Sequence, residues 1–380
     1  MRHILVVAGT LVLAVVPAAA AQKVKVTESI DQLEARVRAD SNDAAAHYNV
    51  ALGYFSRKRY ADAEQELRTA TSIDPQFADA YLAMSIVRNW DEEYWKQLRK
   101  SGGEQAVRDA QEQHNREFRR AFLADPLVDI KILGGTYKIT GYSRTLQGLQ
   151  DLVEGRYDRA YDRFDQEITS SLKYQPLDSI PWVIIWLRGL AGARLERYDP
   201  AITDFSELLT RTERATPTDS IVQLQLMANE YRYVLAALHQ RAGHNDRAVQ
   251  LYQAVATADM GNYMAHAQLA RMYEAGRDWD RAVAERQAAV SANPGDSSLL
   301  LDLGITLGKA GRFGDAVESL NEAVAANPRE IRALYYLGLA EQQQGHAEQA
   351  RAAFTRFLAQ APSRYERQIT SAKERLHAME

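Results

Sequence analysis

The sequence predicts an all-α superhelix of about eight helix-turn-helix units closed by a C-terminal capping helix, and three observations lead to it. Ala248, Ala282, Ala316 and Ala350 recur at one constant interval, as do Leu235, Leu269, Leu303 and Leu337. Each of those leucines is followed by a small residue (Ala236, Ala270, Gly304, Gly338), and the last three units close with Pro294, Pro328 and Pro362 at the same interval. A fixed period of this size, about 34 residues, marks stacked structural units, each of which buries its apolar face against the next. Leucine beside a small residue in one helix, with alanine in the following helix, lets two antiparallel helices approach closely around one large side chain. Gly243, Gly311 and Gly345 fall between the two helices of their units, where a left-handed backbone is needed. The prolines then end the second helix, because proline lacks an amide hydrogen and clashes with the preceding turn.

Unit 263–296 carries Leu269-Ala270, Tyr273, Ala282, Ala289 and Pro294; unit 297–330 carries Leu303-Gly304, Ala316, Leu320, Ala323 and Pro328. Unit 331–364 carries Leu337-Gly338, Ala350, Phe354 and Pro362, and near the N-terminus 44–77 carries Tyr54, Tyr60, Ala63, Leu67, Ala70 and Asp74-Pro75. These units resemble tetratricopeptide repeats, whose pattern runs aromatic, Leu-Gly, Tyr, Ala, aromatic or large, Ala, Pro. The chain is identified on these residues with an exported bacterial type of that family. The resemblance implies a solenoid that binds protein and catalyses nothing.

Taken in order, residues 1–21 form a secretory signal pattern: Arg2 and His3 precede an apolar run from Ile4 to Val16, then Pro17 and four alanines. A cut after Ala21 leaves Gln22 as the new N-terminus and a periplasmic or secreted chain. The alternative is an uncleaved anchor, since Ile4 to Ala21 just reaches the length at which an apolar run can span a bilayer. Residues 22–43 are an N-terminal helical leader. Residues 44–128 hold units 1 and 2, the second running well beyond the standard spacing to its Asp125-Pro126 ending. There Asn89 to Lys100 is expected to extend the first helix, Ser101-Gly102-Gly103 to turn the chain and Glu104 to Ala124 to return. Trp90, Tyr94 and Trp95 on this insertion (89–117) either form a contact element or pack the longer pair together.

Residues 129–140 are an irregular link or a hairpin, because Ile130 to Ile139 alternates apolar and polar residues around Gly134-Gly135. Residues 141–228 hold degenerate units 3 and 4, whose Tyr157-x-x-Ala160-x-x-x-Phe164 and Tyr198-x-x-Ala201-x-x-x-Phe205 stand further apart than the regular period allows. The apolar run Trp182 to Leu187 fits a first helix buried on nearly all sides, or alternatively a docking patch. Residues 229–364 hold regular units 5 to 8. In 365–380, Tyr365, Ile369, Ala372 and Leu376 share one helical face, the mark of a capping helix.

Composition narrows the function. Removing Met1 to Ala21 takes away one basic and no acidic residue, which moves the net charge from −4 to −5 and disfavours nucleic acid. No later stretch is long and apolar enough to span a membrane. Cysteine is absent, so neither a thiol nucleophile, a disulfide nor a lipidated cysteine is available. No two histidines have the four-residue spacing of a helical zinc site; His239 and His244 stand five apart across a turn and read as surface residues. The glycine pairs lack the further glycines and lysine of a phosphate cradle. No cofactor, no metal and no catalytic residue are expected.

In the family the concave wall is lined by first helices at the second, fifth, ninth and twelfth positions of each unit. Carried onto this chain, that register selects Tyr48, Leu52 and Phe55, then Leu82 and Ile86. In the C-terminal four units it selects Tyr233, Arg271, Leu301, Ile305, Arg332, Tyr335 and Leu339. Tyrosine and arginine join large contact area to a polar end, which suits an extended peptide or a helix held in the groove, within an envelope complex. The alternative is a carrier for a non-protein ligand such as a glycan, stacked on Tyr233 and Tyr335.

Overall fold

A computed structural model of the chain describes residues 29–128, 143–214, 228–259 and 261–379. The signal-like segment, the 129–140 link and residues 215–227 lie outside them. The described residues form 18 α-helices and no strand. A short leader helix, α1 (Ile30–Ala39), comes first. Helix pairs follow: α2 (Ala44–Ser56) with α3 (Tyr60–Ile73), α4 (Ala78–Trp90) with α5 (Glu92–Ala124), α6 (Arg144–Val153) with α7 (Tyr157–Ser171), and α8 (Trp182–Arg194) with α9 (Tyr198–Arg214). The regular half continues with α10 (Ala228–Arg241) and α11 (Asn245–Ala258), α12 (Tyr263–Ala275) and α13 (Trp279–Ala292), α14 (Ser297–Lys309) and α15 (Phe313–Ala326), α16 (Ile331–Gln343) and α17 (Ala347–Gln360). The cap is α18 (Glu366–His377). The described residues divide into two compact bodies, one made of those up to Ser72 with those between Phe77 and Leu251, the other of Ile73–Gln76 with those from Tyr252 onward.

Local chemistry sets the helix starts. Ser29 and Gln32 form a reciprocal capping box on α1, and the carboxylates of Asp43, Asp278 and Asp296 accept backbone amides at the starts of α2, α13 and α14. The turns inside three of the four regular pairs use Gly243, Gly311 and Gly345 at φ of 79°, 77° and 80°, a conformation that costs an L-residue strain; in the α12–α13 turn Arg277 adopts it at φ 59°.

Packing within a pair follows one rule. A β-carbon built on Gly338 would stand 2.6 Å from the Phe354 ring, and one on Gly304 would stand 2.5 Å from Leu320. Gly148 meets Phe164 and Gly189 meets Phe205 in the same way, each at 2.8 Å. In all four pairs the glycine of the first helix and the large residue of the second are separated by the same length of chain. Phe164, Phe205 and Phe354 are fully buried, as are Ala160, Ala201, Ala316 and Ala350 on the second helices. In α8, Ile184, Ile185, Trp186 and Leu187 are buried and Trp182 and Val183 half-buried, so most of the apolar run Trp182 to Leu187 is core.

The insertion departs from expectation. Helix α4 does not run on to Lys100: it stops at Trp90, and Asp91 starts a new helix by accepting the Tyr94 amide at 2.9 Å. Asp-Glu-Glu is a strong N-terminal signal, and it outweighs the helical continuity that the composition suggests. Helix α5 in turn breaks at Gly103, at φ 65° and ψ −164°. The Trp95 indole donates back to the Arg88 carbonyl at 2.9 Å, and its ring packs edge-on to Tyr94. The Trp95 hydrogen bond ties α5 back to α4, which supports the packing reading of the insertion.

Substituting Gly338→Ala is expected to destabilise the protein by about 1–3 kcal/mol, because Phe354 is fully enclosed and cannot yield. A urea denaturation midpoint equal to that of the natural chain would refute the rigid contact.

Candidate partner-binding surface

The first helices carry the residues selected for the wall, and the structure sorts them into three groups. Phe55, Leu82, Ile86, Tyr233 and Leu301 have side chains in the core. They are withdrawn from the expected wall, since their apolar surface is already spent on packing. Tyr48, Leu52, Ile305, Tyr335 and Leu339 are half-buried, and Arg271 and Arg332 are exposed.

Two of the half-buried residues are engaged by the chain's own C-terminus. Tyr335 and Leu339 of α16 pack into a cluster built by Phe354 and Phe357 of α17 with Ala372 of α18, and the Tyr335 hydroxyl lies 3.1 Å from the Ser371 hydroxyl. Arg375 of α18 also donates to Gln342 of α16 at 2.6 Å. The cap therefore lies on the stretch of α16 that the family register assigns to the groove. Arg332 is clamped by both oxygens of the buried Glu330, each at 2.8 Å. Its hydrogen bonds to Glu330 hold the guanidinium far above the ordinary range, so the group is permanently charged and already paired.

What remains accessible is clearest on α2 in the first body. Tyr48 and Phe77 have ring centroids 5.2 Å apart at 49°, with Leu52 one turn along the same helix. Both rings are half-buried. This offers an apolar surface with a hydroxyl at its edge, the combination that anchors side chains at protein interfaces. Phe77 was not selected from the sequence, because it ends one unit just ahead of the next first helix, outside the family's wall positions. Arg271 on α12 and Ile305 on α14 supply a cation and an aliphatic patch in the second body. At the turn end of the second pair, an open cavity of about 600 Å³ is lined by Tyr60, Trp90, Asp91 and Glu92. Burial, then the neighbouring Asp91 and Glu92, raises the Tyr60 phenol above its ordinary value.

Charges missed by the sequence reading organise these helices. In the second body the buried Arg286 of α13 donates to Glu274 of α12 at 2.9 Å and to Asp302 of α14 at 2.8 Å. Thr306 adds a hydrogen bond to Glu274 at 2.7 Å. In the first body Arg188 of α8 joins Asp204 of α9 to Asp165 of α7, and buried Arg88 of α4 pairs with Glu64 of α3, which also accepts from Arg68. Each cluster crosses from one helix pair to the next and so fixes the angle at which successive first helices present themselves. No consensus position announces them; the one available signal is a charged residue where the repeat wants an apolar one, as at Arg286.

A family model described as tetratricopeptide repeat matches residues 19–76, 233–297 and 301–365. Among solved structures, the C-terminal part of a TPR repeat-containing protein from Cytophaga hutchinsonii is similar at 15% identity, covering 61% of this chain and 91% of that one with a TM-score of 0.48. MamA from Desulfovibrio magneticus RS-1, from residue 41 to its end, matches at 19% identity over 48% of this chain and 96% of its own, with a TM-score of 0.40. A further crystal structure of MamA matches at 18% identity, over 49% and 94% of the two chains, with a TM-score of 0.41. No curated protein matches the chain.

The Glu64–Arg88 pair makes the acid response of the first body testable. Burial alone would raise the Glu64 carboxyl, but the hydrogen bonds from Arg88 and Arg68 outweigh it and hold the carboxyl below its ordinary value. A depressed folded pKa adds stability that is fully present above the unfolded value near about 4.3 and is lost as pH falls through the lower folded value. Glu64→Gln should therefore cost about 1.5–3 kcal/mol at pH 7, the worth of a hydrogen bond to a charged group, and much less once the natural carboxyl is itself protonated. Urea denaturation of both chains at neutral and acid pH checks this; a difference independent of pH would refute it.

Proposed function

We infer that this chain, a member of the tetratricopeptide-repeat family, is a protein-interaction scaffold that holds a peptide or helix of its partner outside the cytoplasmic membrane. The observation that carries the reading is the Tyr48–Phe77 aromatic pair with Leu52 on α2, an accessible apolar patch on a first helix of a matched repeat region. Half-buried aromatic rings set on a rigid helix lose little conformational freedom when a partner covers them, so the area they bury converts efficiently into affinity. The export part of the reading rests on the signal pattern of residues 1–21 and on that alone. Among the described residues no helix is long and apolar enough to cross a membrane.

The glycan-carrier alternative loses support from the burial pattern. Tyr233 is 3% exposed and cannot stack on a sugar, and Tyr335 has its hydroxyl against Ser371.

Affinity capture on the processed chain from envelope extract should recover a stoichiometric protein, and Tyr48→Ala combined with Leu52→Ala should weaken that capture by about 2 kcal/mol or more. Repeated capture of no protein, or equal recovery by the double variant with unchanged melting temperature, would count against the scaffold reading. N-terminal sequencing of the chain from its host should begin at Gln22; a chain beginning at Met1 would sink the cleavage.

A further inference from the structure

The turn between the two helices of a pair is built the same way along the array. The amide five residues on donates back to a carbonyl in the last turn of the first helix: Arg59 to Tyr54 at 3.0 Å, Arg156 to Asp151 at 2.8 Å, His244 to His239 at 2.8 Å and His346 to Glu341 at 3.0 Å, with Arg197 to Gly192, Asp278 to Tyr273 and Arg312 to Leu307 each at 2.9 Å. That backbone closure sets the two residues side by side. In three of these seven turns their side chains are complementary, and in three others the residues are glycine with arginine, tyrosine with aspartate and leucine with arginine. The Arg59 guanidinium lies 4.1 Å from the Tyr54 ring centre, Arg156 donates to Asp151 at 2.6 Å, and His346 meets Glu341 at 2.8 Å.

The turn between α10 and α11 sets like against like: the Nδ1 atoms of His239 and His244 are 3.3 Å apart. We propose that His239 and His244 form a bidentate site for a late first-row divalent cation, with Zn²⁺ as the reference ion. Two imidazole nitrogens bonded to zinc at about 2.0–2.1 Å with a tetrahedral angle stand about 3.3–3.4 Å from each other, which is the spacing the turn already imposes. The cation supplies the complement that three other turns obtain from an aromatic face or a carboxylate. Imidazole donors favour zinc, nickel and copper over magnesium and calcium.

His239 is half-buried in the last turn of α10 and His244 is exposed in the turn that follows, so the two ring nitrogens are open to solvent. Among the described residues no cluster of three or more His, Cys, Asp or Glu could hold a metal, so the other coordination positions of the bound ion fall to water. The site stands on the turn and does not depend on the scaffold reading.

The competing account is that the two rings merely share one N–H···N hydrogen bond. Isothermal titration of the full-length chain with zinc chloride, with magnesium chloride as control, distinguishes the two, read together with the imidazole Hε1 signals of the two histidines. One zinc per chain is expected, with both ring signals shifting and no response to magnesium. His239→Gln and His244→Gln should each weaken binding by at least about tenfold, since loss of an outer-shell group alone costs that much. Both substitutions fall at a partly or fully exposed turn, so melting temperatures without metal should match the natural chain. Absence of zinc binding, or binding that either variant leaves unchanged, overturns the site.

Discussion

The close approach of the two helices inside each pair is the constraint from which the remaining structure follows. It needs a residue with little or no side chain on the first helix and one large residue, a fixed distance further along the chain, filling the space that the missing side chain leaves. Gly148 with Phe164, Gly189 with Phe205, Gly304 with Leu320 and Gly338 with Phe354 meet that need. Interiors pack at crystal-like density, so a single methylene added at this contact has nowhere to go. Once the two helices are locked, the turn between them and the face offered to the next pair are fixed as well, and the period of the sequence becomes the period of the structure.

The exception clarifies the rule. Unit 263–296 has Ala270 on its first helix but Arg286 at the position of the large residue, and Arg286 is 4% exposed. A guanidinium there is tolerated because its charge is met on both sides, by Glu274 within the pair and by Asp302 of the following helix. Taking such a charge out of water without partners would cost several kcal/mol, so the carboxylates are a condition of the substitution and not an ornament on it. The arrangement also does what a phenylalanine cannot: it ties one pair to the next through directional bonds. Arg188 with Asp204 and Asp165 performs the same crossing in the first body, where the repeat pattern is loosest and apolar matching alone specifies least.

Legibility divides along the same line. The helix pairs can be read from Ala248, Ala282, Ala316 and Ala350 because tight packing restricts identity at those places to very few residues. The break at Asp91 is legible in principle too, since Asp-Glu-Glu at a helix start is a local signal; the expectation that an insertion prolongs the helices it interrupts hides it. The wall is far less legible. Family register locates a side chain on a helix but not the depth to which its own neighbours cover it, so it assigns Phe55, Leu82, Ile86, Tyr233 and Leu301 to a surface they do not reach. Tyr335 and Leu339 illustrate a second cause, because what covers them is the capping helix, and nothing in their own repeat foretells where that helix lies.

Positions whose contact is fixed but whose chemistry is free are therefore where a repeat protein acquires individuality. The turn contact shows this in one place: the backbone closure brings two side chains together, and the chain uses that proximity for a cation over a ring, a salt bridge, a histidine on a carboxylate and a pair of imidazoles. Fold stability rests on the backbone closure and the buried small-to-large contact, both of which survive such exchanges. The residues that vary at a recurring contact therefore say more about function than those that keep it, and between α10 and α11 that contact brings together two nitrogen donors.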